Sequence, residues 1–134
     1  MELRPFEVRT AKELRSAFST MAKARLDALV VSQDTLFIVN AKQIVELAAT
    51  QRIATAGNKE FAEAGSLIGY GVSDSAAYRR GAYFVDRILR GAKPADLPIE
   101  RPTKFELVIN AKTAKALGLK IPQSLLIMAE KVIE

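Results

Sequence analysis

Short apolar runs, each followed by a segment of helical period, recur along this chain and leave few folds open to it. The clearest lies in "DALVVSQD". Ala28–Val31 is apolar, partly β-branched, too short for a stable helix and bounded by polar residues. Such a run suits a strand whose sheet is covered on both faces. A polar loop, Ser32–Thr35, follows at the strand's carboxyl end, and Ile44, Val45, Leu47 and Ala48 then mark a helix over 37–51. "RIATA", "SLIGYG" and "FELVIN" read as further strands. Helices follow them over 59–64, stopped by Gly65, over 75–90, ended by Gly91, and over 111–117, ended by Gly118. Gly69 and Gly71 inside "SLIGYG" mark a close backbone approach or a bend.

The two ends of the chain fit the same scheme. Leu3–Val8 reads as an edge strand, because Pro5 cannot donate to a ladder. Thr10 and Glu13 have capping-box spacing, and Leu14, Phe18, Met21 and Ala22 follow as one face of a helix. Ser73 or Asp74 is placed to cap the 75–90 helix. "AKPADLPIERP", with three prolines, is an extended connector, and a last helix is expected over 123–132 after Pro122. Strands alternating with helices predict an α/β fold: one domain over 1–134, with a parallel sheet of about five strands flanked by helices.

Composition narrows the chemistry. At 49% hydrophobic and 26% charged the chain is globular in type. It has no Cys and no His, which removes disulfides, thiolates, the usual general base near neutral pH and the commonest metal ligand. Neither a phosphate loop nor a nucleophile elbow is present, so the reading assigns no catalytic residue, no metal and no cofactor, and the protein is expected not to be an enzyme. The net charge of +5 permits a polyanionic partner. However, the basic residues of the long helix, Arg79, Arg80, Arg87 and Arg90, read as a solvated face rather than a nucleic-acid stripe. "MELRPFEVRT" contains no apolar core of a secretion signal, and no apolar stretch is long enough to cross a bilayer. As written, the chain is expected in the cytoplasm and not inserted in a membrane.

The C-terminal half carries a specific resemblance. "YRRGAYFVDRILRGAKPADLPIERPTKFELVINAKTAKALGLKIPQSLL", residues 78–126, resembles the C-terminal end of the substrate-binding proteins of ABC transporters, of the tryptophan/tyrosine type. "ALVVSQDTLF", "IVELAA" and "EFAEAGSLIGYG" extend the resemblance over nearly the whole chain. It implies one lobe, the C-terminal one, of a two-lobed fold of the type I periplasmic-binding-protein kind. Members of that family are about twice as long and carry a signal peptide and an N-terminal lobe, so the resemblance implies a fragment or truncated form. The stretch "RIATAGNKEF" also departs from the family, being about one residue short before the "EAG" turn. Residues 74–103 would then cross to the missing lobe and pack on it, and "FELVIN" would be the returning strand.

The implied function is binding an amino-acid-like small molecule between two lobes, in partnership with an ABC permease where an intact precursor exists. Intact family members work in the periplasm or elsewhere outside the cytoplasm. Ligands of such folds sit outside the carboxyl ends of the strands. There the resemblance places Asp34 and Thr35, after the first apolar run, and Tyr70 and Gly71. Asp34 can pair with a ligand ammonium or cap the helix that follows it, and the two roles are compatible. Tyr70 can present its ring to the ligand or be a half-buried strand residue. Lys59 and Glu60 read as solvated residues at a helix start. Finally, Ala77, Gly81, Phe84, Val85 and Ile88 form an apolar stripe on the 75–90 helix. Without a companion lobe this stripe predicts a homodimer, with the helix packed or exchanged across a two-fold axis. The competing function is a self-associating relict or sensor domain with no part in transport.

Overall fold

The frame is set by β1 (Ala28–Val30), β2 (Ala54–Gly57) and β3 (Ile68–Val72), which run parallel and side by side in a computed structural model describing residues 2–134. β4 (Phe105–Asn110) lies antiparallel to β3, and β5 (Lys131–Ile133) lies parallel to β4, in the order β1-β2-β3-β4-β5. The helices are α1 (Leu14–Ala24), α2 (Thr35–Val39), α3 (Ala41–Thr50), α4 (Lys59–Ala64), α5 (Asp74–Leu89), α6 (Ala111–Leu117) and α7 (Gln123–Met128). The expected α/β fold with five strands is therefore present, and the sheet is mixed rather than wholly parallel. Its one antiparallel pair has a simple origin. The chain leaves the end of β3 through α5 and returns to that same end, where the Ser73 N–H donates to the Lys104 carbonyl at 2.9 Å. A strand that starts where its neighbour stops must run backwards.

The fifth strand is not the one expected. Leu3–Val8 forms no strand: with no backbone pairing to the sheet, the segment instead packs Phe6 and Val8 against the core by their side chains. Conversely, the helix expected over 123–132 stops at Met128, and Ala129 is extended. The open edge of β4 takes over there, with the Glu130 N–H donating to the Leu107 carbonyl at 2.9 Å and Val132 aligned with Ile109. The helix expected over 37–51 is two helices, broken at Asn40, whose side-chain amide donates to the Leu36 carbonyl at 2.7 Å. Glu13 reaches back as a capping-box carboxylate should, but past Thr10 to the Arg9 N–H at 2.9 Å. A 3-10 turn, Ala11–Glu13, opens the helix there, and the Thr10 hydroxyl donates to Glu13 instead of capping.

One face of the sheet is well covered. Leu14, Phe18 and Met21 of α1 meet Ile44, Val45 and Ala48 of α3 around Ile53 and Phe61, all buried. Two glycines let α4 come close. A Cβ on Gly57 would lie 2.7 Å from the Phe61 ring, and one on Gly69 would lie 2.7 Å from the Asn58 carbonyl oxygen and 2.8 Å from Ala62 Cβ. The expected close approach is thus at Gly69 and not at Gly71, where an added Cβ would make only an ordinary contact at 3.7 Å. Strand alternation and register put Val30, Ala56, Tyr70 and Phe105 on the opposite face. That face is open at Val30 of β1, Tyr70 of β3 and Phe105 of β4, which are 76%, 59% and 49% exposed, while Ile109 of β4 on the same face is fully buried.

Candidate functional site

The carboxyl ends of β1, β2 and β3 and the start of β4 share one edge of the sheet, and the candidate site is built on it. Asp34 and Thr35 follow β1, Asn58 follows β2, Tyr70 and Gly71 lie near the end of β3, and Phe105 and Glu106 open β4. The structure therefore places all four expected residues at the expected edge, in two groups separated by β2. Asp34 caps α2: its Oδ1 accepts the Leu36 N–H at 2.7 Å, and Thr35 is the exposed first residue of that helix. Tyr70 projects from the open face, one position beyond the last register pair of β2 and β3, Gly57 with Gly69. Its ring stacks on that of Phe105, with centroids 5.7 Å apart and planes 13° from parallel. The aromatic surface is thus a pair of rings, Phe105 lying diagonally across the antiparallel ladder from Tyr70.

Sequence reasoning missed the polar half of this edge. Ser73 occupies the N-cap position of α5 but does not cap it, because its hydroxyl donates to Glu106 Oε1 at 2.6 Å. Asp74, the other expected cap, is the first residue inside the helix. Glu106, only 15% exposed at its side chain, is also approached by Lys59 Nζ at 3.5 Å. Lys59 is the exposed first residue of α4, as expected, and its ammonium also pairs with the β4 carboxylate. The Ser73 hydroxyl, and after it the charges of Lys59 and Lys104, hold the Glu106 carboxyl below its ordinary value. A lone acid inside the apolar run "FELVIN" was the available signal.

Asn58 is the other missed residue. It stands at the N-cap of α4, is 8% exposed and makes no capping bond. Its Oδ1 is buried with no hydrogen-bond partner. A buried acceptor left unmade costs on the order of 1–3 kcal/mol.

Beyond Ser73 the edge opens into a groove of about 760 Å³ between α5 and the returning connector. Ala77, Gly81 and Phe84 form one wall, and Pro102 and Thr103 the other. Arg80 pairs with Glu100 over this groove and lies 4.0 Å above the Tyr83 ring. Its hydrogen bond keeps the Glu100 carboxyl below its ordinary value. Asp34, Thr35, Tyr70 and Gly71 line neither this groove nor the smaller one beneath Phe6 and Val8. They form an open edge, which suits a surface that a second body closes. No helix among the described residues is long and apolar enough to cross a membrane.

Comparison with known proteins places this architecture. No curated protein matches the chain. Among solved structures, an ABC domain from Streptococcus pneumonia in complex with L-Trp is 27% identical with a TM-score of 0.87, over 96% of this chain and 43% of that one. A conserved domain protein from Vibrio cholerae is 22% identical with a TM-score of 0.83, over 92% of this chain and 42% of that one. A substrate binding protein with adhesive properties from Clostridium difficile, in its ligand-free, open structure, is 20% identical with a TM-score of 0.67, over 94% and 42%. The last two likenesses are of fold alone. The chain spans less than half the length of each of these proteins. The model of the ABC transporter substrate binding protein family matches residues 1–133, and the chain belongs to that family.

Proposed function

We propose that this chain forms one lobe of a solute-binding protein serving an ABC-type uptake transporter, and that its strand edge holds an amino-acid-like molecule. The observation that carries the reading is the 27% identical structure, solved in complex with L-Trp, which matches 96% of this chain. The chemistry of the edge supports it. Asp34 supplies a carboxylate for a ligand ammonium, and Tyr70 with Phe105 an aromatic platform. Thr35 and the Gly71 backbone complete the contact surface. In this reading residues 74–103 rest on a companion lobe that closes over the ligand, the assembly works outside the cytoplasm, and an ABC permease receives the ligand.

Because this lobe supplies only part of the contacts, affinity for the isolated chain is expected to be weak, roughly millimolar. Calorimetry with L-Trp, L-Tyr, branched amino acids and the deaminated analogue indole-3-propionate tests the idea. Binding of an amino acid but not of the analogue, weakened about tenfold by Asp34→Asn, is the expected result. If no amino acid binds, or if Asp34→Asn and Tyr70→Ala both leave binding unchanged, the site lies elsewhere.

A further inference from the structure

The strand edge meets two parts of an amino acid and leaves a third to be found. Asp34, after β1, suits the ammonium, and the stacked rings of Tyr70 and Phe105 suit an apolar side chain. The carboxylate also needs a partner, because an anion closed off from water is strongly disfavoured unless it is paired or hydrogen-bonded. The segments that build the edge, residues 31–35, 58–59, 70–74 and 103–106, contain two cations, Lys59 and Lys104. Lys104 is turned to the far side, with its Nζ 3.3 Å from Glu130 next to β5. Lys59 stands in the middle. It follows the end of β2, the strand between the Asp34 group and the Tyr70 group.

Lys59 is able to take a guest. Its side chain is 45% exposed, so it can be reached from outside. Its present bond is loose, with Nζ 3.5 Å from Glu106 Oε2, long for a charged hydrogen bond. Glu106 does not depend on it, because Oε1 already accepts the Ser73 hydroxyl at 2.6 Å. An ammonium has three donors on a flexible stem, so one can stay with Glu106 while another turns to a ligand. Glu106 in turn keeps the ammonium at the edge: it lies on β4 opposite Gly71 of β3, and Lys59 reaches across β3 to meet it. The strand end there is bare. Even a Cβ on Gly71 would meet no other group nearer than Asn58 Cβ, at 3.7 Å.

The order of these groups matches the order of charges in an amino acid. Neighbouring strands lie about 4.8 Å apart, so β1, β2 and β3 end at steps of about 5 Å. An aromatic amino acid laid along the edge would put its ammonium at Asp34, its carboxylate near Lys59 and its ring toward Tyr70 and Phe105. We infer that Lys59, held in place by Glu106, is the residue that binds the ligand carboxylate, so that the site selects zwitterionic amino acids over the corresponding amines. This deepens the function proposed above and rests on it.

The test is an NMR titration of the chain with L-Trp, L-Tyr and L-Leu, each beside its decarboxylated amine. The wild type should bind an amino acid about tenfold more tightly than its amine. Lys59→Gln should keep the folded spectrum, weaken the amino acid about tenfold and bind the amine no more weakly, since a like charge has been removed. Lys59→Arg, which keeps a cation, should retain the preference. A wild type that binds amine and amino acid equally overturns the inference, and this comparison needs no variant. So does a Lys59→Gln that keeps the preference, or that weakens both ligands alike as a merely structural partner of Glu106 would. In each of these cases the proposed function still stands if an amino acid binds and Asp34→Asn weakens it. If no amino acid binds the wild type, the proposed function fails and the role of Lys59 falls with it.

Discussion

The two faces of the sheet differ both in composition and in what the chain lays over them: one carries Thr55, Gly57, Gly69 and Glu106, the other Val30, Ala56, Tyr70 and Phe105. On one, Gly57 and Gly69 give up their side chains so that α4 can approach, and α1 and α3 complete a core in which Phe18, Ile44 and Phe61 are at most 2% exposed. On the other, Tyr70 and Phe105 stack on each other in solvent. The difference teaches that apolar alternation marks a surface as needing cover without naming the body that supplies it. Here α1, α3 and α4 cover one face, while Val30 and Tyr70 on the other stand in solvent.

The largest expected effect sets these two regions against each other. Phe61→Ala should cost about 3–5 kcal/mol in urea unfolding, since a buried ring leaves a cavity among α3, α4 and the sheet. Leu89→Ala, at a position 82% exposed on α5, should stay within about 0.5 kcal/mol of wild type. Similar costs for the two would erase the distinction. A finer test compares two glycines of one strand. Gly69→Ala drives a Cβ into the Asn58 carbonyl and Ala62 and should cost roughly 1–3 kcal/mol. Gly71→Ala, with 3.7 Å to its nearest neighbour, should be tolerated.

The smallest effect lies at the junction of the regions. Ser73, Lys59 and Lys104 depress the Glu106 carboxyl, so the folded state holds its proton less tightly than the unfolded chain. The resulting stabilisation is complete above the ordinary carboxyl value of 4.5 and is lost as pH falls through the folded value. Acid unfolding of Glu106→Gln should therefore lose this part of its pH dependence, whereas an acid limb identical to wild type would show that the Ser73–Glu106 contact contributes nothing.

Much of this was legible residue by residue. The strand in "DALVVSQD", the helix stopped by Gly65, the long helix ended by Gly91 and the strand–helix pair of "FELVINAKTAKALGL" lie where their local pattern puts them. Asp34 and Thr35 follow β1, and Tyr70 and Gly71 lie near the end of β3, because a parallel α/β frame sends the carboxyl ends of its strands to one side. What was not legible is pairing. Ser73 and Glu106 are 33 residues apart, and nothing near either announces the other. The pairing of Lys59 with Glu106 was hidden for the same reason.

The sequence alone therefore determined periodicity, element type and most boundaries, since these follow from backbone geometry and side-chain alternation within a few residues. It also carried the family, because the run over 78–126 is long and specific. Only the tertiary structure decided that Lys131–Ile133, and not Leu3–Val8, is the fifth strand, that β4 runs against β3, and that Ser73 bonds Glu106 instead of capping its own helix. Each of these is a choice among hydrogen-bond partners distant in the chain. It is settled by which groups the fold brings within about 3 Å of one another, and no local pattern encodes that.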